Sequence, residues 1–188
     1  MSGFTTITGT PARLMLDNVD TDQLIPARFM SRPRSEGYGP VLLHDLREEE
    51  PQARLPEGAQ ILIAGRNFGC GSSREAAVYA LVDFGIRAVL APSFGDIFSS
   101  NAVNNGLLPA RIPAQVLEGL SGEITVDLQG ARIIHAGGET PFDIDPVWQT
   151  KLLNGWDDID LTAQRGDAIA RFKAAHHPRA PWSAPART

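Results

Sequence analysis

One cysteine in 188 residues is the sharpest scarcity in this sequence. Cys70 alone closes no internal disulfide and falls short of the three or four thiolates that a structural zinc or an iron–sulfur cluster takes. A metal centre of that kind would therefore have to sit on another chain. Long apolar runs are missing too: none approaches the ~20 residues needed to span a bilayer. The opening Met-Ser-Gly-Phe-Thr-Thr-Ile lacks the basic and apolar regions of a signal peptide, so a cytoplasmic location is expected. Basic residues are outnumbered 17 to 22 by acidic ones, for a net charge of −5. With no Lys/Arg block, nucleic-acid binding is disfavoured. Internal repeats are absent, which excludes solenoids and propellers.

What is present reads as α/β. Residues 60–64, 87–91 and 107–112 are short apolar runs suited to buried strands, with helical spacing predicted over 73–84 and 95–104 between them. Strand, helix, strand, helix, strand implies a parallel sheet with right-handed crossovers. Residues 124–128 and 131–134, joined by Gln129-Gly130, give a hairpin signal, and Gly137-Gly138 turns toward 140–144, so a second, antiparallel sheet layer is expected. Strand character also runs over 7–16, followed by an acidic turn at 17–22. The Arg-, Gly- and Pro-rich stretch 28–55 is predicted to be a long loop with one short helix near 42–50. Helices are predicted over 147–154 and over 162–175, the latter capped by Thr162. Residues 1–175 read as a single domain, and the Pro-rich tail 176–188 is expected to be disordered.

The strongest chemical signal is Asn67-Phe68-Gly69-Cys70-Gly71-Ser72-Ser73-Arg74-Glu75, between a buried strand and a helix. This is the anion-binding position of an α/β protein: the glycines permit a sharp turn, and the free N–H groups at the helix start face a ligand. Ser72, Ser73 and Arg74 add donors suited to a carboxylate or phosphate, Arg74 by a two-pronged contact. The alternative is structural, with Ser72 or Ser73 capping the helix and Arg74 pairing with a surface acid. A P-loop is excluded by the missing Lys, and a hydrolase elbow by the missing Gly-x-Ser-x-Gly spacing. Cys70 lies in the same turn, where a helix dipole would favour its thiolate, although a small, partly buried structural residue is the plainer reading. Asp20 and Asp22 fit a turn better than a metal site. Arg28, Arg32 and Arg34 form either a solvated face or, near an anion site, a substrate reader.

Several motifs together resemble a known family. Asp20-Thr21-Asp22-Gln23-Leu24-Ile25-Pro26, the 67–75 turn, Ala91-Pro92-Ser93-Phe94-Gly95-Asp96-Ile97-Phe98, Asn104-Asn105-Gly106-Leu107-Leu108-Pro109 and Leu152-Leu153-Asn154-Gly155 are similar, in order and over residues 5–175, to the small subunits of 3-isopropylmalate dehydratase in the aconitase superfamily. Gly37-Tyr38-Gly39 and Asp45 resemble the longer bacterial type. The resemblance implies a swivelling β/β/α three-layer domain that closes over a large subunit holding a [4Fe-4S] cluster through three cysteines. It implies that no cofactor is bound by this chain. Ser72 matches the catalytic base, Ser73 and Arg74 the substrate-carboxylate contacts, and Asp22 an acid that orients active-site partners; Arg32 of the loop is a further candidate substrate contact. The implied reaction is a hydro-lyase isomerisation of 2-isopropylmalate to 3-isopropylmalate through isopropylmaleate, in leucine biosynthesis. The family usually has His after Ser-Arg-Glu, whereas here Ala76 follows Glu75. Paralogous hydratases of citraconate/methylmalate or dimethylmalate share the scaffold and are the alternative, and a non-catalytic partner-binding domain is the alternative of another class.

Overall fold

The computed structural model describes residues 2–183. Among them the parallel sheet contains β2 (Ala12–Leu14), β3 (Ile61–Ala64), β4 (Ala88–Ala91) and β5 (Leu108–Arg111), side by side in that order. Every neighbouring pair is parallel. The antiparallel sheet has the order β1 (Thr6–Gly9), β6 (Ile124–Asp127), β7 (Arg132–His135) and β8 (Gly138–Pro141). The helices are α1 (Thr21–Leu24), α2 (Leu46–Glu49), α3 (Glu75–Phe84), α4 (Asp96–Asn104), α5 (Ala114–Gly119), α6 (Pro146–Asn154), α7 (Asp158–Ala163) and α8 (Gly166–His176). None is long and apolar enough to cross a membrane.

All residues of β3 and β4 are buried, which is why they read as continuous apolar runs rather than as alternating ones. Alternate side chains nonetheless enter different cores. Leu62, Ala64, Val89 and Ala91 pack with Ala77, Val78 and Leu81 of α3 and Phe98 of α4. Ile61, Ile63, Ala88 and Leu90 pack on the opposite face against Ile7, Ile124, Val126 and Ile133 of the second sheet. The result is three layers, sheet on sheet on helices, as expected for β/β/α. The outer sheet has one solvated face, hence the alternating burial along β6.

Several local expectations are corrected. The strand character over 7–16 divides between two sheets: β1 pairs antiparallel with β6, and β2 parallel with β3. Pro11, which has no N–H for a ladder, stands at the changeover. The single helix expected over 162–175 is two, α7 and α8. Asp157 caps α7 in a capping box with Asp160, while the Thr162 hydroxyl donates to the Asp158 carbonyl inside that helix at 2.8 Å. Of the Pro-rich tail 176–188, His176 ends α8, residues 177–179 form a turn and Pro181–Ser183 a 3-10 turn, and residues 184–188 lie outside the described residues.

The 28–55 stretch is a chain of short turns packed on α3 rather than an open loop, and its short helix α2 covers only Leu46–Glu49. Tyr38, Val41, Leu42 and Leu43 are buried in the α3-side core. Arg34 grips Asp83 with both terminal guanidinium nitrogens, and the Tyr38 N–H donates to the same carboxylate at 2.7 Å. A Cβ on Gly39 would come within 2.8 Å of the Asp83 carbonyl, so the Gly37-Tyr38-Gly39 motif is what lets this segment press against the end of α3.

Candidate functional site

The carboxyl ends of β2, β3 and β4 continue past the sheet as three loops that hydrogen-bond to one another. The Gly69 N–H donates to the Val19 carbonyl at 2.8 Å, and the Thr21 N–H to the Cys70 carbonyl at 3.0 Å. On the other side the Gly95 N–H donates to the Phe68 carbonyl at 3.0 Å and the Asn67 N–H to the Ser93 hydroxyl at 2.9 Å. Asn18 and Asn67 both adopt left-handed backbones, which Asn tolerates, and the Asn67 amide donates to the Asn18 side chain at 2.9 Å. Beneath them Phe68, Phe94 and Phe98 form an aromatic floor, with the rings of Phe68 and Phe98 edge to face at 5.5 Å. Gly69 has φ +72°, and a Cβ there would fall 2.3 Å from the Phe98 ring. Only glycine lets the turn sit directly on that floor.

Above it, Ser72 and Ser73 are exposed and Arg74 is half-buried. Neither serine caps α3: the N-cap is Arg74, its backbone extended, with no capping side-chain bond. The structural alternative for the serine hydroxyls therefore fails, because the helix begins at Glu75. The Arg74 part of that alternative holds, since its guanidinium pairs with Asp22. Asp22 is presented by α1, which is fixed by a capping box between Asp20 and Gln23. The buried Thr21 completes the frame by donating its hydroxyl to the Ser72 carbonyl at 3.0 Å. Its importance is not visible in the sequence, where it is one residue of an acidic turn.

A cleft of about 370 Å³ opens beside the turn, lined by Asn67, Cys70, Ser72, Asp96, Ile97 and Phe98 among others. Asp96 and Ile97 of α4 are site residues that the chemistry-bearing motif alone does not reveal. A larger cavity of about 460 Å³, lined by Ser99, Arg111, Asp143 and Trp148, contains none of the sequence-predicted residues.

Ser72, Ser73, Arg74 and Asp22 are thus brought together, and Arg32 is not joined to them. Its exposed guanidinium lies 5.3 Å from the centre of the Phe29 ring and makes no ion pair among the described residues. Its neighbours in sequence are structural: Arg34 holds Asp83, and Arg28 holds Asp45. The bonds from Arg28, and then from His44, keep the Asp45 carboxyl well below the usual range. Cys70 corrects the dipole argument. Burial, and then the nearby Asp20 carboxylate, push its thiol up, and α3 begins five residues later, at Glu75. No three or more His, Cys, Asp or Glu side chains among the described residues are grouped so as to hold a metal ion.

Residues 1–115 match the family model described as the aconitase C-terminal domain. The 3-isopropylmalate dehydratase small subunit of Rhodospirillum centenum is 43% identical, covering 97% of this chain and 99% of that protein. The protein of the same name from Streptococcus suis is 47% identical over 92% of this chain and 95% of its own length. A crystal structure of 3-isopropylmalate dehydratase from Methanocaldococcus jannaschii matches with a TM-score of 0.69 at 28% identity, covering 88% of this chain and 98% of that one.

Proposed function

The chain belongs to the family of 3-isopropylmalate dehydratase small subunits, and from that premise we propose that it is the half of a cytoplasmic hydro-lyase that supplies the base and a carboxylate clamp for interconverting 2- and 3-isopropylmalate in leucine biosynthesis. The other half is a large subunit, over which this domain closes. The fold family implies a four-iron cluster, and a single cysteine, Cys70, does not supply the several thiolates that one takes. The cluster belongs to the large subunit.

The observation that carries this reading is the exposed Ser72 hydroxyl, free of any capping role, two residues from a guanidinium already oriented by Asp22. In the dehydration direction the Ser72 oxygen takes the proton from the carbon next to a carboxylate. The C–H electron pair forms the double bond, and the hydroxyl leaves from the adjacent carbon, taking up a second proton to depart as water. In rehydration water adds in the opposite sense: its hydroxyl goes to the carbon that lost the proton, the serine returns its proton to the carbon that lost the hydroxyl, and the remaining proton of the water is released. The positive charge of Arg74 favours the deprotonated serine. Asp22 occupies part of the guanidinium fork and leaves N–H donors for a substrate carboxylate, to which Ser73 adds its hydroxyl.

The test is reconstitution with the cluster-bearing large subunit under anaerobic conditions, following the absorbance of the unsaturated acid with isopropylmalate and with citraconate. Ser72→Ala is expected to lower kcat by about 10²-fold or more with the complex intact. Arg74→Lys is expected to raise KM, because an ammonium cannot reproduce the planar fork. Undiminished turnover in Ser72→Ala would remove the serine from this role, and turnover of citraconate alone would move the substrate assignment.

A further inference from the structure

We infer that Asn105 is a positioning residue for the reacting turn, acting through the carboxylate of Glu75. The inference rests on the reading of Ser72, Ser73 and Arg74 as that turn. Its amino side is anchored by Thr21, whose hydroxyl and N–H reach the carbonyls of Ser72 and Cys70. On its carboxyl side the chain passes through Arg74, extended at φ −90° and ψ 104°, straight into the first residue of α3. Arg74 is held at its side chain by Asp22 but makes no capping bond, and the next residue is anchored by Asn105, whose amide donates to the Glu75 carboxylate at 2.8 Å and to the Asn101 carbonyl at 2.9 Å.

Asn105 is well placed for this task. It caps the carboxyl end of α4, where its own N–H is committed to the carbonyls of Ala102 and Val103, so its backbone is not free to follow Glu75. The other end of α4 supplies Asp96, Ile97 and Phe98 to the cleft. One side-chain bond therefore ties the helix that walls the cleft to the helix that begins directly after the turn. Asn105 does not line the cleft, so it acts on the chemistry only through placement. A misplacement of about 1 Å can cost about 10²-fold in rate, so the leverage is large for a single hydrogen bond.

The test pairs Asn105→Asp, which sets one carboxylate against another and also loses the bond to the Asn101 carbonyl, with Glu75→Gln/Asn105→Asp, which restores a donor and an acceptor between positions 75 and 105 in reversed order while the Asn101 bond stays lost in both. In the reconstituted holoenzyme Asn105→Asp is expected to lower kcat about tenfold, with KM changing less, and the double variant to return to within about threefold of the parent. In the isolated subunit the amide NMR resonances of Ser72, Ser73 and Arg74 should shift in the single variant and return in the double. Wild-type kcat and unshifted amides in Asn105→Asp would overturn the inference, as would a double variant no better than the single. Ser72→Ala in the same preparation separates the two ideas. Its loss of turnover beside a silent Asn105→Asp sinks only the positioning role, whereas its full turnover sinks the reading of the turn.

Discussion

Burial and the carboxylate of Asp20 act on the Cys70 thiol in the same direction, both against the thiolate. The half-buried sulfur donates weakly to the Asn18 carbonyl at 3.6 Å, an interaction available only to the protonated form. Alkylation of the native subunit with iodoacetamide should therefore follow a pH profile with its midpoint above the ~8.5 of a free cysteine, returning to that value in urea. Asp20→Asn keeps an N-capping side chain for α1 and should bring the native midpoint part of the way down, since the larger, burial component remains. A native midpoint below the free value would restore the helix-dipole argument. The same residue scale separates what is readable from sequence and what is not. Ser72, Ser73 and Arg74 stand out by lying between glycines and a helix start, where the sequence leaves capping and surface pairing open to them; the capping alternative for the serines falls only in the structure, which starts α3 at Glu75. Arg32 cannot be separated there from Arg28 and Arg34, because the acid partners of those two, Asp45 and Asp83, are 17 and 49 residues away from them in sequence.

At the scale of elements, periodicity reveals what is buried on two faces and misses what is held by polar contacts. β3, β4 and α3 are legible from their apolar residues alone. The start of α7 at Asp158, ahead of the Thr162 expected to cap this region, is not, since it depends on a capping box at Asp157 and on a salt bridge that reaches back to α6. Lys151 of α6 is buried, only 4% of its side chain being exposed, and its ammonium bonds the Asn104 side chain and, at 2.6 Å, the Asp158 carboxylate. That bond holds the Asp158 carboxyl below its ordinary range. Asp158 itself is 70% exposed, which limits the worth of the pair. Asp158→Asn is therefore expected to cost about 0.5–1 kcal/mol at neutral pH, read as a fall of about 1–4 °C in Tm. The sign with pH is set by the depressed carboxyl. Its contribution is complete above the ordinary value of ~3.9 and is lost as pH falls through the lower native one, so the Tm gap between parent and variant should narrow below about pH 4. A gap that is unchanged at pH 3 would mean that the charge is not what is lost.

Across the whole molecule, stability is concentrated in the two cores on either face of the parallel sheet, and neither extends beyond Leu153. The carboxyl-terminal helices α7 and α8 are tethered by Lys151 and Asp158 and contribute little burial. α8 has no buried residue, and Phe172 is 64% exposed. An isolated helix of this length is marginal in water, because so few turns do not repay nucleation. Hydrogen exchange on the isolated subunit should therefore divide in two. Amides of β3 and β4 should exchange only through global unfolding, whereas those of α8 should open locally and show protection of about tenfold or less. Ending the chain after residue 165 should leave the main cooperative transition within about 2 °C of the parent, since the three-layer unit loses no core contact. Equal protection in α8 and β4 would show that the carboxyl-terminal helices are bound into the cooperative unit by contacts stronger than their burial implies. Local opening in α8 alone would mean that the unit carrying Ser72, Arg74, Asp22 and Asn105 is complete before α8 begins.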